Sequence, residues 1–184
     1  KTAYEIPKRD WSSDVCSSDL GASVTVIERT AVGSGASSVN SGVISMATKK
    51  PGRALDLAMA SQRLYRSLGA ELGADIEYLN FGGLIVAESE TEAGFIENLA
   101  QEQRAAGVPI ESVSAERCRE LNPLIEGRIL SGIYCATDAQ VDPFKVTRGF
   151  ANAAQDRGAR IVGGTAVRSE EHTSELQSRF GISY

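Results

Sequence analysis

The sequence predicts an α/β fold, α+β over its full length, in which one βαβ-type sheet is entered twice and an antiparallel β and helical portion is inserted between the two visits. Three observations carry this. Ser23-Val24-Thr25-Val26-Ile27 is a β-branched run after Gly21-Ala22, and Glu28 closes it, so the segment reads as a buried strand ending in an acid. Much later, a helical pattern gives way to Gly158-Ala159 and then Arg160-Ile161-Val162, the same order of signals. Between these two places, segments with apolar residues at helical spacing alternate with short strand-like runs. No internal repeat of fixed period is present.

After the first strand comes a loop of short side chains, Gly33-Ser34-Gly35-Ala36-Ser37-Ser38 followed by Asn40-Ser41-Gly42. Backbone N–H groups in such a loop can approach a phosphate or a flat ring closely. An acid at the carboxyl end of a sheet strand can accept hydrogen bonds from a nucleotide's ribose. The same residues also fit a solvated Glu28-Arg29 pair beside a flexible Gly/Ser linker.

Pro51-Gly52 breaks the chain before a helix over residues 54–72, whose Leu57, Leu64, Leu68 and Leu72 form an apolar stripe. Ile76–Leu79 and Gly83–Ala87 read as paired strands around Asn80-Phe81-Gly82, with Tyr78 and Phe81 in the core or, alternatively, facing a ligand. Ser89-Glu90-Thr91-Glu92 is a capping box opening a helix that runs to Ala106 and ends at Gly107, with Ile96 and Leu99 on its apolar face. A shorter helix over 114–121 stops near Pro123 and carries Cys118 as a packing residue. Ile129–Cys135 is strand-like, and Thr137–Gln140 is a polar turn. Asp142-Pro143 places an N-cap and a first helical residue ahead of a helix reaching about Arg157, with Phe144, Val146, Phe150 and Ala154 facing inward.

The two ends differ from the rest. Arg168–Ser178 can be encoded by a DNA segment whose reverse complement encodes Asp10–Asp19, and that segment resembles a short-read sequencing adapter. Residues 1–20 and 168–184 are therefore expected to be translated adapter, outside the fold; the sequence of the parent genomic locus tests this. These ends hold five of the 19 Lys/Arg and seven of the 24 Asp/Glu, so the net charge is −5 over the whole chain and −3 over residues 21–167. A mildly acidic chain offers no electrostatic footprint for nucleic acid. No run approaches the roughly 18 apolar residues of a membrane span. Cys118 and Cys135 have neither CxxC spacing nor histidine partners, so no metal site is expected and a reduced, cytoplasmic environment is.

The pieces GASVTVIER, GSGASSVNSGVIS, FGGLIVAESE and DAQVDPFKVTRGFANAAQDRGARI, in this order, resemble the FAD-dependent D-amino acid oxidase superfamily, in particular its glycine oxidase, sarcosine oxidase and D-amino acid dehydrogenase branches. The resemblance implies a partial Rossmann-type FAD-binding domain at 21–50 and 143–167, with helices and part of a substrate-binding domain at 51–142. It also implies that the first strand and the GxGxxG turn of that fold are missing, since residues 1–20 contain no glycine. By this resemblance Glu28 binds the adenosine ribose with Arg29 beside it, and Ala36, Ser37 and Ser38 line the pyrophosphate. Ser41, Gly42 and Val43 run along the isoalloxazine, and the main chain of Val167 meets the adenine. The implied reaction oxidises the C–N bond of an amino acid or amine by hydride transfer to the flavin. No catalytic residue is assigned; Arg53, Arg63 and Arg66 are candidate carboxylate clamps, or plain surface charge. A homo-oligomer or an electron-acceptor partner fits the family, as does a place against the inner membrane for a dehydrogenase. Two alternatives stand beside this reading: a truncated, inactive chain that does not retain FAD, and an NAD(P)-binding dehydrogenase module, which a strand-end acid also suits.

Overall fold

The computed structural model describes residues 23–167. The segments expected to be adapter, and Gly21-Ala22, lie outside them. The described residues form two compact units, one of residues 23–38 and 147–167, the other of residues 39–146.

In the first unit, β1 (Thr25–Ile27) runs parallel to β7 (Arg160–Val162), with Val26 opposite Ile161. The pairing continues past both strands. Glu28 N–H donates to the Val162 carbonyl at 2.9 Å, Thr165 N–H to the Glu28 carbonyl at 3.0 Å, and Gly164 N–H to the Thr30 carbonyl at 2.9 Å. Helix α4 (Pro143–Asp156) precedes β7. Its end is closed by Ala159 N–H on the Ala154 carbonyl and Gly158 N–H on the Gln155 carbonyl, the paired bonds of a Schellman motif. The two strands that follow Gly-Ala in the sequence thus form a parallel pair. The expected burial of β1 is corrected: Thr25 is exposed and Ile27 is 48% exposed. β7 is its one strand partner among the described residues, so a β-branched run here covers little surface.

In the second unit, β3 (Gly83–Ala87), β5 (Ser131–Cys135) and β4 (Ile110–Ser114) form an antiparallel sheet in the order β3-β5-β4, with Ile85 and Ser112 flanking Ile133. Helices α1 (Arg53–Leu72), α2 (Glu90–Ala105) and α3 (Ala115–Leu121) accompany it. The core holds Met46, Leu55, Ala87, Ile96, Ala100, Val108, Ile110, Ile133 and Cys135. The capping box is present in full: Ser89 Oγ accepts from Glu92 N–H, and the Glu92 carboxylate accepts from the N–H groups of Glu88 and Ser89. Asp142 likewise caps α4, its Oδ1 accepting from Phe144 N–H at 2.8 Å and Lys145 N–H at 3.0 Å.

Four expectations need correction here. The buried positions of α1 are Leu55, Gln62 and Leu68, while Leu57 is 73% exposed; two residues turn the helix by about 200°, so Leu57 faces away from Leu55. Ile76–Leu79 does not pair with Gly83–Ala87. Leu79 instead bridges to Gln140, and β3 pairs with β5. The supposed turn at Thr137–Gln140 contains a strand, β6 (Ala139–Gln140), antiparallel to β2 (Val43–Ile44) inside the loop. Phe81 and Phe144 are 60% and 41% exposed, outside the core. Strand β4 lacks a sequence signal, since Ile110 and Val113 lie three residues apart and do not alternate as a half-buried strand does. Cys118 and Cys135 are buried and, among the described residues, unpaired, and burial pushes both thiols up; for Cys118 this is the packing role expected.

Candidate functional site

Glu28 lies at the carboxyl end of β1 and is partly buried. Its Oε1 accepts from Thr30 N–H at 2.9 Å and from the Thr30 hydroxyl at 3.2 Å. The Thr30 backbone bond chiefly, then its hydroxyl and the charge of Arg29, hold this carboxyl below the usual glutamate range, against the opposing effect of partial burial. The group is therefore an acceptor only at neutral pH. A carboxylate has about four lone-pair sites; Thr30 takes two, and the rest suit the paired hydroxyls of a ribose.

A cavity of about 290 Å³ opens beside it, lined by Val26, Glu28, Val32, Gly33, Gly35 and Ser37 from the strand and loop, and by Phe150, Ala154 and Ile161 from α4 and β7. Small-molecule sites begin near 300 Å³, so this space suits a nucleoside-sized part of a ligand. The loop is ordered by its own contacts. Ser34 N–H donates to the Ala31 carbonyl at 3.0 Å, the hydroxyls of Thr30 and Ser34 pair, and Ala36–Ser38 form one turn of 3-10 helix. Ala36 and Ser37 are exposed, and Ser38 is half-buried with an enclosed hydroxyl that has no partner among the described residues.

Ser41, Gly42 and Val43 belong to the other unit. Ser41 is exposed and Val43 is 59% exposed. Gly42 is buried, with its N–H given to Asn40 Oδ1 at 2.8 Å and its carbonyl taken by Val141 N–H at 3.0 Å. A Cβ there would lie 2.1 Å from the Val141 carbonyl oxygen, and φ is +66°. The protein's own backbone already requires this glycine, whatever lies outside it. Val167 is 60% exposed in the first unit, and Arg29, Arg53, Arg63 and Arg66 are all exposed. The structure thus gathers Glu28, Gly33, Gly35 and Ser37 around one cavity and places the proposed ring-facing residues on a separate ribbon.

The residue that sequence reasoning missed is Asp138. It is 4% exposed, and its carboxylate accepts from Ser45 Oγ at 2.6 Å and Met46 N–H at 2.8 Å. It therefore fixes the chain that leaves β2. Its partners lie more than 90 positions away, so no local pattern distinguishes it from a solvated turn acid. A Cβ on Gly83 would come 2.5 Å from Asp138 Oδ2, which accounts for one glycine of the Gly82-Gly83 pair. A larger cavity of about 370 Å³, between residues 48–51 and α2, holds none of these residues. Among the described residues, no three His, Cys, Asp or Glu side chains are grouped to hold a metal, and no helix is long and apolar enough to cross a membrane.

Residues 2–182 match the family DAO, FAD dependent oxidoreductase. The chain belongs to this family. Its relatives include the glycine oxidase of Bacillus subtilis, 33% identical over 124 residues, covering 65% of the chain and 32% of the relative. Another is the mitochondrial pyruvate dehydrogenase phosphatase regulatory subunit of Mus musculus, 25% identical over 166 residues, covering 90% of the chain and 18% of the relative. Among solved structures, glycine oxidase from Bacillus cereus superposes with a TM-score of 0.75 at 26% identity, covering 83% of this chain and 43% of that one. The chain thus spans less than half the length of these relatives. Membership gives the DAO family's cofactor, FAD, and confirms the mixed α/β fold, with FAD in place of the NAD(P) alternative.

Proposed function

We propose that the whole protein oxidises the C–N bond of an amino acid or amine, with residues 21–50 and 143–167 serving the FAD and 51–142 contributing to the substrate side. The observation that carries this is the ionised Glu28 carboxylate on the edge of a cavity floored by Gly33, Gly35 and Ser37. Glu28 would hold the ribose, its orientation set by Thr30. Ser37, with Ala36 and Ser38, would lie against the pyrophosphate, and a turn about χ1 would offer it the unmet Ser38 hydroxyl, since an enclosed polar atom without a partner costs about 1–3 kcal/mol. Ser41 and Val43 would present an open surface to the ring, held by the Gly42–Val141 and Asp138–Met46 bonds. Arg29 and Val167 would flank the adenosine.

Bound FAD supplies a two-electron acceptor for the hydride leaving the carbon beside the amine nitrogen, after which water hydrolyses the imine. The chain's residues act by orientation rather than by proton transfer, so no catalytic residue is assigned among them. The unpaired cysteines go with a cytoplasmic setting. The experiment is a titration of the full-length protein with FAD, followed by an assay of glycine, sarcosine and D-amino acids. Stoichiometric flavin with turnover of one of these classes is expected; a colourless protein that cannot be reconstituted refutes the proposal. The same titration on the 184-residue chain tests whether this portion by itself retains FAD.

A further inference from the structure

β2 and β6 place Val43 directly opposite Gln140, and on the other side of β6 Leu79 bridges to the same Gln140. Leu79 and Gln140 exchange both backbone hydrogen bonds, each at 2.8 Å. Residues directly opposite on paired strands project from the same face. Leu79, Gln140 and Val43 therefore form one row across the ribbon. That row is open: Leu79 is 55% and Val43 59% exposed, and Gln140 is exposed. The next pair in register, Ile44 and Ala139, turns the other way, with Ala139 at 3% exposure and Ile44 packed on the core.

The row cannot slip. Asp138 is pinned to Ser45 and Met46 by its side chain, and Asn80 Nδ2 donates to the carbonyls of Ala136 at 3.1 Å and Asp138 at 2.8 Å. Gln62 Nε2 adds a bond to the Thr137 carbonyl at 2.9 Å. A one-residue shift would reverse the faces and break all of these. Within the row, Gln140 alone carries hydrogen-bonding groups on its side chain, and among the described residues that amide has no partner.

We propose that Gln140 is a specificity-determining residue whose side-chain amide contacts the carboxylate of an amino-acid substrate lying beside Val43. This rests on the reading that places the flavin ring along Ser41–Val43. An amide offers two N–H donors and one carbonyl acceptor, a match for a carboxylate oxygen and a neighbouring amine N–H.

The test uses the flavin-loaded full-length protein with Gln140→Leu, which removes both polar functions, and Gln140→Glu, which opposes a carboxylate. Because Gln140 is exposed, both variants keep the fold, checked by melting temperature. The probe is anthranilate, an aminocarboxylate whose nitrogen-bearing carbon has no hydrogen to lose, read by its perturbation of the flavin absorption band. The dissociation constant should rise roughly tenfold or more in Gln140→Glu and several-fold in Gln140→Leu, the range of a hydrogen bond to a charged group, with the flavin reduction potential unchanged. Unaltered binding in both variants overturns the proposal, as does a wild-type flavoprotein blind to anthranilate. A shifted potential with unaltered binding also overturns it, by assigning the amide to the ring. A protein that takes up no flavin fails earlier and visibly, and removes the cofactor reading along with the inference.

Discussion

The two units are held together in different ways. The unit of residues 39–146 encloses a core in which Leu55, Ala87, Ala100, Ile133 and Cys135 are almost wholly buried. The other unit buries small residues, Ala153, Ala154 and Ala159, and leaves β1 open. Its order comes from backbone pairing of β1 with β7 and from hydroxyl and carboxylate bonds around Glu28 and Thr30. The first pattern suits a rigid scaffold. The second suits a surface that a ligand completes, because binding segments are drawn from the less stable parts of a fold.

Substitutions can break this contrast in order of expected size. Gly42→Ala should do most. It sets a Cβ 2.1 Å from the Val141 oxygen at φ +66°, with no side-chain end able to yield, so a loss beyond about 4 kcal/mol is expected in urea unfolding of the scaffold unit. Ile133→Ala, at the centre of the three-stranded sheet, should cost about 2–5 kcal/mol in the same measurement. Glu28→Gln should leave unfolding nearly unchanged, since Thr30 can still donate to the amide oxygen, yet weaken FAD about tenfold in a flavin titration, near 1.4 kcal/mol. If Glu28→Gln unfolds the chain and Ile133→Ala does not, the contrast is wrong. Ser89→Ala, the loss of a helix cap in the scaffold, should cost about 1 kcal/mol.

Acidity probes the β1–β7 unit through Glu28, with FAD affinity as the readout. Glu28 has a carboxyl lowered from 4.5 in the fold, chiefly by the Thr30 backbone bond. A depressed carboxyl contributes stability that is fully present above its unfolded value and is lost as pH falls through the lower folded value. In the folded protein the same lowering keeps Glu28 ionised below the pH at which an ordinary glutamate protonates, so FAD affinity should hold to that pH and decline only below it. Glu28→Gln should remove the decline.

Local chemistry made β1, β7 and the helix before β7 readable. The β-branched run with its terminal acid, the Gly-Ala helix stop and the Asp142-Pro143 start are all short-range signals, and each element lies where they placed it. The capping box at Ser89 was legible for the same reason. What could not be read was long-range pairing. Strand β6 reads as a polar turn because its partner, β2, lies far back in the chain, and Leu79 reads as a partner of the nearer strand because nothing local names Gln140. Asp138 hid for the same reason. The stripe through Leu57 failed differently: α1 has apolar residues on more than one face, and only the fold selects Leu55.

The central claim is that the acid at the end of β1 and the small-residue loop after it hold a flavin nucleotide. Titrating the full-length protein with FAD, alongside Glu28→Gln, which keeps the acceptor for Thr30 and removes the charge, tests this most directly. The account predicts one tightly bound FAD per chain in the native protein and a loss of affinity of roughly tenfold or more in the variant, at an unchanged melting temperature without ligand. Equal affinity in the two proteins, or no flavin in either, would contradict it.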